Sequence, residues 1–223
     1  SFTTTSAGDI VFNLPDTADE AVLEDLGGGT LQLRSVNGTF ETTQFAAPTG
    51  GGIVSLLGGA GDDTLSADTF GDSVFIDGEA GNDAVTGSTA GDVLQGGAGD
   101  DTLTGGAGDD QLHGEDGNDV LTGGDGNDVG TGGGGNDVIR GDSGRDVLSG
   151  DQGADTVFGG ADADVLNGGE GDDSLKGDGD SDSIYGDGGN DSLFGGAQAD
   201  LLEGGAGNDK VNGQGSTDDS VGG

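Results

Sequence analysis

Cysteine is absent from this 223-residue chain, so no disulfide or thiolate metal site can hold it together and no Cys nucleophile is available. Histidine occurs once, as His113, which leaves zinc and copper without their usual ligands. Lys and Arg total five against 44 Asp and Glu, a formal net charge of −39, and so few cations argue against nucleic acid as a partner. Hydrophobic residues make up only 29% of the chain, and no apolar run is long enough to span a membrane. HExxH and GxSxG motifs are missing as well, so the chain is not expected to be an enzyme. A chain this acidic and this poor in apolar residues should repel itself and stay disordered unless counter-ions bind it.

Glycine, by contrast, is abundant at 55 residues, far above the average share. From Gly78 the sequence reads in blocks of nine: GEAGNDAVT, then GGAGDDTLT, GGAGDDQLH, GEDGNDVLT, GGDGNDVGT and GGGGNDVIR. The frame runs without a slip through about sixteen blocks to Val221. Gly holds the first place up to Gly213, Asp the sixth from Asp83 to Asp218, and an apolar residue the eighth except at Gly130 and Ser220. An earlier full match is GGAGDDTLS at 58–66. ADTFGDSVF follows, with Phe70 in a glycine place and Asp72 at the sixth; Ile76 and Asp77 then add two residues, so a distorted transition coil is expected over 58–77. A fixed short period predicts a solenoid.

Within a block the first six places read as loop and the last three as strand. Gly permits positive φ at little steric cost. A turn made of it points several carbonyl oxygens inward, and the Asp adds a carboxylate to them. Such an all-oxygen shell suits calcium, which takes about six to eight oxygens at ~2.3–2.6 Å and tolerates irregular geometry; magnesium demands a tighter octahedron. In the strand the central side chain points inward, which stacks Val85, Leu94, Leu103, Leu112 and Leu121 in a thin core. Lone His113 falls at an outward place.

These blocks, over roughly residues 58–221, resemble the hemolysin-type calcium-binding repeats, the RTX family. The resemblance implies an all-β fold, a right-handed parallel β-roll solenoid with two nine-residue repeats per coil and Ca2+ between loops stacked on the same edge. The ligands it implies are the sixth-place carboxylates Asp63, Asp72, Asp83, Asp92, Asp101, Asp110, Asp119, Asp128, Asp137, Asp146, Asp155, Asp164, Asp173, Asp182, Asp191, Asp200, Asp209 and Asp218. Carbonyls of places one to four complete the shell, among them those of Gly96, Gly97, Gly99, Gly105, Gly106, Gly108, Gly114, Gly117, Gly123, Gly126, Gly132 and Gly135. One ion in every gap gives up to about sixteen Ca2+, on the order of +32 of compensating charge. Proteins with such repeats are usually secreted by Gram-negative bacteria, and sites this weak fill only near millimolar calcium, so a secreted or cell-surface location is expected. The chain opens on Ser1 with no visible signal peptide and stops at Gly223 without the C-terminal secretion tail of many such proteins. The expectation is a tail outside this sequence or an N-terminal leader.

Two blocks per coil also follow from the fourth place. Its glycine is lost at Ala90, Asp162, Asp180, Gln198 and Ser216, all separated by multiples of eighteen. The losses therefore fall on one edge, and the other keeps Gly81, Gly99, Gly117, Gly135, Gly153, Gly171, Gly189 and Gly207.

The chain divides into an N-terminal β-rich cap or docking segment (1–57), irregular first repeats (58–77) and a calcium-binding roll (78–223). The first segment holds both prolines, Pro15 and Pro48, and Phe2, Phe12, Phe40 and Phe45. Ile10, Phe12 and Leu14 alternate with polar or outward neighbours, as do Leu31 and Leu33, and read as strands. Asn37-Gly38 is a turn signal, and Asp16–Asp25 reads as one helical turn. Outward Phe158 and Phe194 flank Lys176 and offer a lateral contact. The function expected is an extracellular calcium-binding structural protein that folds on Ca2+ and self-associates into an oligomer or filament, as a fibre, surface layer or adhesin stalk. The alternative is a calcium-triggered folding and secretion module of a larger secreted enzyme or toxin.

Overall fold

The computed structural model describes residues 2–4, 10–14, 19–25, 30–35, 43–46, 53–213 and 220–222, and among them no helix occurs. The strands form two twelve-stranded sheets. Sheet I takes Val93–Ala98, Gln111–Asp116, Val129–Gly134 and every second strand onward; sheet II takes the alternate ones, Thr102–Ala107, Val120–Asp125, Val138–Ser143 and their successors. Neighbours within a sheet run parallel with partners one coil apart, Leu94 opposite Leu112 and Leu103 opposite Leu121. Two nonapeptides thus close one coil, and the molecule is a parallel β-roll. The strands are longer than the three residues read from the repeat. Thr102–Ala107 runs on through places one to three of the next block, because Gly106 and Ala107 keep parallel partners in Gly124 and Asp125. Only places four to six turn the chain.

The eighth-place side chains of both sheets meet in a single row. Leu94, Leu112, Leu148, Leu166, Ile184 and Leu202 from sheet I, with Val85, Leu103, Leu121, Ile139, Val157, Leu175 and Leu193 from sheet II, are all buried. Each contributes roughly 1.5–3 kcal/mol on burial. Gly130 leaves no hole in this row: a Cβ built there would lie 3.1 Å from Leu148 Cδ2 and 3.3 Å from Ile139 Cγ2. Its neighbours have closed over the missing side chain.

The N-terminal segment joins the roll. Ile10–Asn13 pairs parallel with Val54–Ala60 in sheet I, and Glu20–Asp25 pairs parallel with Thr64–Ser66 in sheet II. These two strands, Ile10–Asn13 and Glu20–Asp25, thus take the places of a first coil without a repeat motif. The helical turn expected at Asp16–Asp25 is a strand over Glu20–Asp25, since Ala21 and Leu23 alternate into the core. Antiparallel strands then extend both sheets at this end, Phe2–Thr4 on sheet I and Thr30–Ser35 with Thr43–Ala46 on sheet II. The 57/58 boundary falls inside the strand Val54–Ala60. Asn37-Gly38, Pro15, Pro48, Phe40 and Ser216 lie outside the described residues.

The register departs from eighteen at both ends. Leu56 pairs with Ile76 and Leu65 with Val85, an offset of 20 that absorbs the two extra residues. At the far end Leu202 pairs with Val221, not Ser220. The frame therefore slips by one in the last coil, and Val221 takes the core register that the unbroken frame gave to Ser220.

Candidate metal sites

Sixth-place aspartates stand in two columns, one along each edge. Asp63, Asp83, Asp101, Asp119, Asp137, Asp155, Asp173 and Asp191 precede the strands of sheet II, and Asp92, Asp110, Asp128, Asp146, Asp164, Asp182 and Asp200 those of sheet I. All are at most 3% exposed. Except at Asp92, each Oδ1 accepts the backbone N–H of the aspartate one coil earlier: Asp101 N to Asp119 Oδ1 at 2.7 Å, Asp119 to Asp137 at 2.7 Å, Asp110 to Asp128 at 2.8 Å. The columns are therefore built by the fold itself.

The second oxygen has no such partner. Oδ2 of Asp63, Asp83, Asp101, Asp110, Asp119, Asp128, Asp137, Asp146, Asp155, Asp164, Asp173, Asp182 and Asp191 is buried and accepts no hydrogen bond. An unpaired buried carboxylate oxygen is costly, and here the cost recurs in nearly every coil. The loop glycines crowd round the same atoms. A Cβ at first-place Gly96, Gly105, Gly114, Gly123 or Gly132 would collide with Oδ2 of Asp101, Asp110, Asp119, Asp128 or Asp137 respectively. Fourth-place Gly99, Gly108, Gly117, Gly126 and Gly135 have φ between 112° and 150°, and a Cβ on any of them would run into the backbone of the loop below. Second-place Gly97 and Gly106 meet the carbonyls of Glu79 and Ser88 in the same way. The loops stack backbone on backbone, with a carboxylate at the base of each gap. No group of three or more His, Cys, Asp or Glu converges among the described residues, so carbonyls have to supply most of any shell.

The RTX calcium-binding nonapeptide repeat matches residues 49–74, 71–94, 86–121, 122–157, 131–166, 158–193 and 194–223. The chain belongs to this family. No curated protein matches the chain. RTX repeats bind calcium, and the residues here fit that ion. They present orphaned, buried carboxylate oxygens beside glycine loops too tight for side chains, with no nitrogen or sulfur donor in the columns. Calcium supplies two positive charges and accepts an irregular all-oxygen shell.

Electrostatics sharpen the fit. Burial pushes the carboxyls up to about 7 at Asp101, Asp110, Asp146, Asp164 and Asp182, and to about 6 at Asp83, Asp137 and Asp173. The N–H bond to Oδ1 pulls the other way, and neighbouring carboxylates add to the rise. Exposed Asp100, Asp109 and Asp172 are instead held below 3.8 by bonds from Asn118, Asn127 and Asn190.

Four expected ligands differ from the rest. Asp72 is exposed and outside the column, and Val74 takes its place: Val74 N bonds to Asp92 Oδ1 at 2.8 Å. The two extra residues have moved the apolar position from Val74 to Ile76. Asp92 is in the column, but Ser88 N and Oγ already bond its oxygens, at 2.5 and 3.0 Å. Asp209 is only partly buried, though its Oδ1 still accepts Asp191 N at 3.1 Å. Asp218 lies outside the described residues.

Sequence reasoning missed Asp19, buried at the head of the first column with its N–H on Asp63 Oδ1 at 2.6 Å. Asp19-Glu20-Ala21 repeats the Asp-x-apolar spacing of the blocks, a signal without its glycines. A fifth-place ladder was missed too. Asn82 Oδ1 accepts Asp100 N, Asp100 Oδ1 accepts Asn118 N, and Asn118 Oδ1 accepts Asn136 N, at 2.8–3.0 Å. These bonds run from later coil to earlier, the sixth-place bonds from earlier to later, so adjacent coils are joined in both directions.

Proposed function

We propose that this RTX roll is an extracellular structural protein whose sixth-place aspartates hold calcium between stacked loops, fold the chain when calcium binds, and let folded rolls assemble into a fibre, surface layer or stalk. The observation that carries the reading is the column of buried Oδ2 atoms with no hydrogen-bond partner. Two such columns in a chain of net charge −39 oppose folding until divalent cations enter. RTX sites need calcium near the millimolar level outside cells, and that supports an extracellular setting. The antiparallel strands at the N-terminal end cover sheet edges that would otherwise recruit further strands, which supports a capping role for residues 1–57.

Calcium titration followed by circular dichroism and light scattering tests folding and assembly together. Expected are a disordered chain in chelator, β-structure in millimolar calcium, and scattering that grows with protein concentration. β-structure that persists after exhaustive calcium removal at pH 7.5 would defeat the folding part. Folded but dispersed monomers at high concentration would favour a folding module of a larger secreted enzyme or toxin.

A further inference from the structure

Charge is unevenly spread over the roll. The outward seventh and ninth places of sheet II, from Thr64 to Asn212, hold no Asp or Glu. They do hold Arg140, Lys176 and Lys210, out of five Lys and Arg in the chain. Arg140, Phe158, Lys176 and Phe194 follow one another in register, and the Arg140 guanidinium lies 4.9 Å from the centre of the Phe158 ring. Asp142 and Asp178 lie two places further along the same strands, and Lys176 Nζ reaches Asp178 at 2.5 Å.

Sheet I is the opposite. Its outward places hold no Lys or Arg, and acids only at Asp77 and Glu203, while Glu79, Glu115, Asp151 and Asp187 line its rim. In mid-roll it presents Val129, Val147 and Val165, 39%, 50% and 41% exposed and in register on neighbouring strands.

We propose that the outer face of sheet I in one copy packs on the outer face of sheet II in the next, a side-by-side contact between copies of this chain. The proposal rests on the reading that folded rolls assemble and names the surfaces that do so. Charge selects the pairing. The acid-rimmed, valine-striped face fits the face that carries Arg140, Lys176 and Lys210, together with Val120 and Val138. Sheet II on sheet II sets cations against cations, and sheet I on sheet I sets acids against acids with no cation between. A foreign basic partner would meet the acidic loop edges first, and a foreign polyanion would find only Arg140, Lys176 and Lys210 on the outward places of sheet II. Strands ~4.8 Å apart along nine coils, each showing about 13 Å of outward face, give a footprint of roughly 500–600 Å² per partner. That approaches the ~600 Å² per partner at the lower end of stable interfaces. The two surfaces differ, so each added copy leaves one of each free and the row does not close.

The test uses Val147→Lys with Val165→Lys to block sheet I, and Arg140→Glu with Lys176→Glu to block sheet II, followed by sedimentation velocity in millimolar calcium. Circular dichroism checks that each variant folds at the wild-type calcium midpoint. Either double variant alone should sediment as a monomer, with self-association weakened at least about tenfold, while their equimolar mixture associates again, because the intact faces meet each other and the reversed charges of the two altered faces are complementary. If a double variant fails to fold, Gln111→Lys and Thr122→Glu put the same charges on the same faces at positions already polar. A wild type that never assembles sinks the assembly reading itself. A wild type that assembles, with variants that assemble equally well or dimerise alone with no gain on mixing, overturns the face-to-face contact and leaves the assembly reading standing.

Discussion

Asp119 divides its two oxygens between two roles. Oδ1 accepts Asp101 N–H at 2.7 Å and joins two coils; Oδ2 is buried beside Gly114 with no hydrogen bond. Asp119→Asn separates the roles, because the amide keeps an acceptor for the N–H and loses the negative charge. Its calcium-dependent stability should fall by about 1.5–3 kcal/mol, a rise of roughly ten- to a hundredfold in the local calcium requirement, read by isothermal titration. An unchanged titration would remove Asp119 from the ligand set. Acid should act in the opposite direction from calcium depletion. Burial raises the Asp119 carboxyl above 3.8, and pushes those of Asp83, Asp101 and Asp110 up to about 6, 7 and 7 in the folded chain. The metal-free fold therefore binds more protons than the unfolded chain between about pH 4 and 7, and its stability is fully present below that window and lost as pH rises through it. Circular dichroism of calcium-stripped protein should show more β-structure at pH 5.5 than at pH 7.5. With calcium present, protons compete for the same oxygens, and the calcium midpoint should rise as pH falls.

The stacked loop sets the limit on side chains. On the edge that keeps its glycines, Gly117 has φ 150° and a Cβ there would strike the Gly99 carbonyl. On the other edge Asp162, Asp180 and Gln198 replace glycine with φ of 72°, 62° and 72°. Those values lie near the left-handed helical region that L-residues can enter at modest cost, so this edge has changed its turn to admit side chains. Gln198 Nε2 also bonds Asp180 Oδ1 across the coil. The two edges should therefore answer differently to one substitution. Gly117→Ala should cost about 1–3 kcal/mol or more, measured by thermal unfolding in calcium, whereas Gln198→Ala should stay within about 0.5 kcal/mol. Equal losses would mean that both loops have the same spare room.

Across the molecule, each coil touches only its neighbours, and the core is one side chain deep per strand. Such a stack has little apolar area to set against a net charge of −39, so its compactness depends on ions distributed along its length. Small-angle scattering should report a radius of gyration near 17–20 Å in millimolar calcium and about 50 Å after chelation at pH 7.5. A chain that stays compact in chelator would show that packing and hydrogen bonds hold the roll without the metal.

The nine-residue period carried most of this in plain view. Gly at the first place and Asp at the sixth, with the losses at Ala90, Asp162 and Asp180 spaced by multiples of eighteen, specify two loops per coil, a thin core and an oxygen-rich edge. Those features are local and repeated, so backbone sterics and alternation are enough to read them. Register at the ends is not local. Val74 displacing Asp72, Val221 taking the place read for Ser220, and Asp19 heading a column without its glycines all depend on which residue lies across the sheet. A strand finds its partner by matching core side chains and backbone hydrogen bonds of the neighbouring coil. The period showed that two residues are added before Gly78, but only that pairing decides where they bulge.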